Sequence, residues 1–162
     1  MKKAAALIFS VLLICLIAAC APSAPHIEYP TLDASYTGEL TVKANDSRYK
    51  VKVELTGAGG VKKLTFEEPG EMRAYAYIKD GTDVKMTVGD LTLDAKEGGS
   101  AQLLFALFEL SDGDISGVSY GKADGEKRVT FTFSDGSRAV LRASDGTPVI
   151  LENDGVLFEI TG

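Results

Sequence analysis

The sequence predicts an α+β domain, mostly antiparallel β, in which a curved sheet of about ten or eleven strands holds one apolar helix. Three observations carry that expectation. Between Tyr36 and Gly162 apolar and polar residues alternate with a period of two; Asp-Gly pairs beginning at 80, 112, 124, 135, 145 and 154 fall mostly between the alternating runs; and one stretch, Ala101 to Leu110, breaks the alternation with helical stripes. Period two marks strands with one wet face, and Asp-Gly suits tight turns that need positive φ.

The chain opens with Met1-Lys2-Lys3, followed by an apolar span from Ala4 to Ala19 interrupted only by Ser10, and then Cys20. At about 16 residues the span is short for a stable membrane crossing, and with its charged start and small residues before the cysteine it has the layout of an export signal. Residues 1–19 are therefore expected to be removed and Cys20 to become the first residue of the exported protein. Residues 20–35 contain Pro22, Pro25 and Pro30 among alanines and serines, with no periodicity, and are expected to form a flexible tether. One domain is expected over 36–162.

The clearest strands are Arg48 to Leu55, where Tyr49, Val51, Val53 and Leu55 alternate with charges, and Arg128 to Ser134, where Val129, Phe131 and Phe133 alternate with polar residues. Weaker runs cover 40–42, 61–66, 72–78, 84–88, 91–93, 118–120, 139–141, 149–151 and 156–160. In the run at 72–79, Met72, Ala74, Ala76 and Ile78 form a small apolar face expected to pack inward, which turns Arg73, Tyr75, Tyr77 and Lys79 outward. From Gly117 onward strand and turn alternate about every ten residues, as in a meander. The helix follows Gly98-Gly99-Ser100, with Ser100 placed to cap it and Asp112-Gly113 to stop it. Leu104, Leu107 and Phe108 make one stripe and Leu103, Ala106 and Leu110 another, so the helix is apolar round most of its circumference. It either plugs the hollow of the sheet or offers an apolar face to a ligand or partner.

Composition narrows the function. With Lys2 and Lys3 gone, 15 basic residues face 23 acidic ones, a balance of −8 that disfavours nucleic acid and anionic headgroups. Cys15 is expected to leave with the signal, so Cys20 has no second cysteine with which to form a disulfide. The lone histidine, His26, lies in the expected tether, where no neighbour holds it for catalysis. The acidic turns at 111–114 and 152–155 do not match the ligand spacing of an EF-hand loop and read as turn chemistry. Glu67-Glu68 and Asp112/Asp114 are the densest carboxylate pairs, but neighbours on a strand point to opposite faces and turn aspartates are solvated. No catalytic residue, metal site or cofactor is expected, and the protein is not expected to be an enzyme.

The segment ending Ile17-Ala18-Ala19-Cys20 resembles the signal of bacterial lipoprotein precursors. That resemblance implies diacylglyceryl attachment at the Cys20 thiol and an extracytoplasmic, membrane-anchored protein; two or three acyl chains anchor stably where one does not. Ala21 differs from the aspartate of inner-membrane retention signals and leaves an outer-membrane fate open in a cell with two membranes. The element order, with turns at Pro69-Gly70 and Lys79-Asp80-Gly81, one apolar helix, and Asp145-Gly146-Thr147-Pro148 before the closing strands, resembles the LolA/LolB-like lipoprotein-carrier superfamily, including its GerS-like sporulation-associated lipoproteins. The resemblance spans about residues 36 to 162. It implies an incomplete barrel, or half-barrel, wrapped on the helix, with a hollow that takes acyl chains or serves as a scaffold for a partner protein.

Two functions are expected to compete. In one, a lipid, acyl chain or other apolar ligand binds in a groove between sheet and helix lined by Leu104, Phe105, Leu107, Phe108, Phe131 and Phe133, with Tyr75 and Tyr77 as further contact residues. In the other, side chains fill that groove and the domain recruits an envelope or sporulation protein. A cavity favours the first and a packed interior the second.

Overall fold

The computed structural model describes residues 27–56, 60–95 and 98–161. The signal segment, Cys20 and His26 lie outside the described residues. Eleven strands form one open sheet: β1 (Tyr36–Val42), β2 (Ser47–Thr56), β3 (Val61–Glu68), β4 (Tyr75–Asp80), β5 (Asp83–Val88), β6 (Leu91–Asp94), β7 (Ile115–Ala123), β8 (Glu126–Phe133), β9 (Arg138–Arg142), β10 (Pro148–Glu152) and β11 (Val156–Ile160). The helix α1 (Ser100–Leu107) lies between β6 and β7 in sequence. Strand order is β6-β5-β4-β3-β2-β1-β11-β10-β9-β8-β7, and every pairing is antiparallel. Two meanders thus run outward from a central seam, β1 against β11, and the chain passes from one outer edge to the other through α1.

Local chemistry explains the hairpins. Asp124 and Gly125 have φ of 53° and 80° and join β7 to β8 as a two-residue turn with both central residues left-handed. That is the turn Asp-Gly favours, since its twist matches that of the strands. Asx contacts support others: Asn153 Oδ1 accepts the N–H groups of Gly155 and Val156 at 3.0 and 2.9 Å, between β10 and β11.

One face of the sheet holds the core. Leu40, Val51, Val53, Leu64, Val129, Phe131, Phe133, Leu141, Leu151 and Phe158 are all buried and share that face by register. Onto it α1 packs Ala101, Leu104, Phe105 and Leu107, and Phe108 follows at the helix end. The apolar circumference seen in the sequence is therefore mostly core, with Ala106 on the exposed side.

Four expectations change. Gly99, not Ser100, is the N-cap residue, and no side chain caps the helix; Gln102 Oε1 instead accepts the N–H of Gly98 at 2.7 Å. The strand expected from Met72 begins at Tyr75, because Gly70–Met72 is a 3-10 turn. Tyr75, Tyr77 and Lys79 face inward: Tyr77 stands opposite the buried Leu64 and Lys79 opposite the buried Lys62. Residues 27–35 form no helix or strand but belong to the packed domain, because Tyr29 is buried in the core and Ile27 and Leu32 pack against it. The hydrophobic gain from the Tyr29 ring, with Ile27 and Leu32 beside the core, holds a segment that has no repeating pattern.

Candidate functional site

The inner face of β1 to β4 rises toward the start of α1 without meeting it everywhere. A half-open cavity of about 220 Å³ remains, with Leu40, Leu64, Phe66 and Tyr77 on the sheet side, Met72 from the 3-10 turn, and Gly99 to Ala101 at the helix start. Tyr49 completes it, and Asn45 and Ala95 also line it. Sheet register builds the aromatic wall. Tyr49 meets Phe66 edge-on with ring centres 5.4 Å apart, and Phe66 meets Tyr77 at 6.2 Å. Aromatic pairs favour such edge-on contacts. Burial, with the Tyr49 phenol nearby, pushes the Tyr77 hydroxyl above its ordinary range, so it stays neutral at physiological pH.

Charge closes the far end of the same strands. Lys62 Nζ donates to Glu109 Oε1 at 2.8 Å, and Lys79 Nζ donates to the same oxygen. Burial pushes the Glu109 carboxyl up, but the two ammonium groups outweigh it and hold the carboxyl below its usual range. Glu109 lies just past the end of α1, where cations also complement the helix dipole. This cluster ties β3 and β4 to the helix.

Of the residues singled out in the sequence, Leu104, Phe105 and Leu107 are fully buried, and Phe108 is wedged between Tyr36 and Phe158. Phe131 and Phe133 lie beneath Tyr29. Tyr75 is half-buried on the inner face, and Tyr77 lines the cavity. Tyr49, Phe66 and Met72 were not anticipated. For Tyr49 and Phe66 the signal was present, since each continues a period-two run on the face of Val51 or Leu64; Met72 belongs to a turn and gave none.

The carboxylates have structural partners. Asp112 Oδ1 accepts the Tyr29 N–H at 3.1 Å, and Asp114 Oδ2 accepts the Ser111 hydroxyl at 2.7 Å. Glu67 pairs with Lys50 at 3.5 Å. Among the described residues no group of three or more His, Cys, Asp or Glu is placed to hold a metal ion, and no helix is long and apolar enough to cross a membrane.

No protein-family model matches the chain, and no curated protein does. The chain is similar to the crystal structure of the LolA superfamily protein NE2245 from Nitrosomonas europaea, covering 84% of this chain and 87% of that one, at 12% identity and a TM-score of 0.38. So slight a likeness carries no function across.

Proposed function

We propose that the chain is an extracytoplasmic lipoprotein, anchored through acyl groups on Cys20, whose domain is a non-enzymatic binding module for an apolar group. The observation that supports this is the cavity walled by Tyr49, Phe66, Met72 and Tyr77. Its size bounds the ligand. Pockets for whole drug-sized ligands run from about 300 Å³, whereas an apolar hole of about 150 Å³ takes a benzene ring. At about 220 Å³ the site suits a ring or the end of an acyl chain, with the remainder outside. Here the sheet acts as a half-barrel curled on α1, a reading supported by the helix lying near both β4 and β11, four places apart in the sheet. The groove first expected along Leu104, Phe105, Leu107 and Phe108 is filled by those side chains, and the binding role passes to the open end beside Ala101.

Titration of the purified protein with a fluorescent fatty acid tests this, with Ala101→Leu as the variant that fills the cavity from the helix side. Saturable binding that Ala101→Leu weakens at least tenfold is expected. Binding that is absent, or unchanged in a folded Ala101→Leu protein, would exclude the site.

A scaffold role for an envelope or sporulation protein has its own support. On the inner face, Leu91 and Leu93 of β6 and Val118 of β7 are 56%, 44% and 47% exposed, at the two outer edges of the sheet. Native mass spectrometry of the protein from its own membranes separates the two roles, because a bound lipid and a bound polypeptide are told apart by the mass each adds.

A further inference from the structure

Residues 27–35 cross the inner face with no β-ladder to hold them. Tyr29 does most of the holding: it is 6% exposed, and its ring meets Phe131 edge-on at 5.5 Å and Phe133 at 5.1 Å. Its N–H donates to Asp112 Oδ1, but its hydroxyl is buried with no hydrogen-bond partner among the described residues. An unmade hydrogen bond of this kind weakens the docked state by roughly 5- to 150-fold relative to an apolar group of the same shape. Phenylalanine would make a better plug. Beside the ring lies an open groove of about 630 Å³, lined by Ile27, Ile115, Val118 and Phe131, with Glu28 and Asp112 also on its walls. Tyr29 therefore covers part of a larger apolar surface.

We infer that residues 27–35 are a strap that lifts off the inner face as a unit while the sheet stays folded, uncovering Phe131 and Phe133 and joining them to the neighbouring groove. The occupant of that surface is the strap itself, a segment of the same chain. Local opening at low free energy is the property of segments with few backbone hydrogen bonds and a small set of apolar contacts, and residues 27–35 fit both conditions. Chain order gives the opening a direction. In a protein anchored through Cys20, as proposed above, tension from the membrane reaches the strap before any strand.

Hydrogen exchange followed by mass spectrometry, on the intact protein under native conditions, tests the inference by comparing peptides from 27–35 with peptides from β8. The Tyr29 amide, which donates to Asp112 and is freed when the strap lifts, should exchange about 100-fold faster than those of β8. Tyr29→Phe removes the orphaned hydroxyl and should slow strap exchange by roughly 5- to 150-fold with β8 unchanged. Tyr29→Ala should leave the strap unprotected and raise the fluorescence of 1-anilinonaphthalene-8-sulfonate, with β8 still protected. Strap and β8 exchanging in step would overturn the inference, as would loss of β8 protection in Tyr29→Ala or a Tyr29→Phe strap that exchanges no more slowly than the original. None of these readings depends on fatty-acid uptake at the cavity beside Ala101, so the two proposals stand or fall separately.

Discussion

Truncating Leu104 to alanine tests whether α1 is core. The side chain has no exposed surface and packs within the cluster formed by α1 and the inner face of the sheet. The substitution deletes three carbon-sized groups, and at about 0.8 kcal/mol each the lost transfer energy is roughly 2.4 kcal/mol. If about 80 Å³ of void persists, a cavity cost of ~24 cal/mol per Å³ adds about 2 kcal/mol, for a total of about 4 kcal/mol. Unfolding entropy of ~2.1 cal/mol/K per residue over about 130 residues makes this a drop in Tm of roughly 15 °C. Urea unfolding followed by circular dichroism should show the same loss as a lower midpoint at an unchanged slope. Ala106→Ser, on the exposed side of the same helix, should stay within about 0.5 kcal/mol of the parent. A loss below about 1 kcal/mol for Leu104→Ala, with the slope unchanged, would mean that this face of the helix is not core, and the packing of α1 into the sheet would be refuted.

Glu109 gives a pH dependence of known sign. Its folded carboxyl lies below its unfolded range despite burial, because of the bonds from Lys62 and Lys79, so its contribution is present above the unfolded carboxylate pKa and is lost as pH falls through the folded value. The urea midpoint should fall between pH 6 and pH 3, and Glu109→Gln should lower it at pH 6 and remove part of that fall; an identical profile in the variant would refute the assignment. Gly38→Ala should destabilise the domain by more than about 3 kcal/mol or prevent folding, because a Cβ there would stand 2.2 Å from the Glu159 carbonyl oxygen across the central seam. A thermal melt unchanged by that substitution would place the β1–β11 register in error. Cys20→Ser should abolish incorporation of a labelled fatty acid in the producing cell, since a hydroxyl does not replace the thiolate as acceptor; persistent label would remove the anchor assignment.

Strands and turns were legible in the sequence because their signals are local. The alternation at Tyr49 to Leu55 and Val129 to Phe133, and Asp124-Gly125 with both residues left-handed, depend on neighbours a few positions away. The helix was legible for the same reason, since leucines and phenylalanines packed that densely at helical spacing have to be covered. Which side of β4 turns inward was not legible, because Ala76 and Ile78 are as compatible with a core as Tyr75 and Tyr77. Pairing of Tyr77 with Leu64 and of Lys79 with Lys62 decided it, and with it the aromatic wall of the cavity. Tyr29 was equally silent: a single anchoring ring has no period, and its partners Phe131 and Phe133 are about a hundred residues away. The seam between β1 and β11, the packing of α1 onto the inner face and the space left beside Ala101 are sums over contacts between distant segments. Period and turn chemistry specify how each stretch of chain is shaped, whereas only the packed structure determines which apolar faces meet and where they leave room.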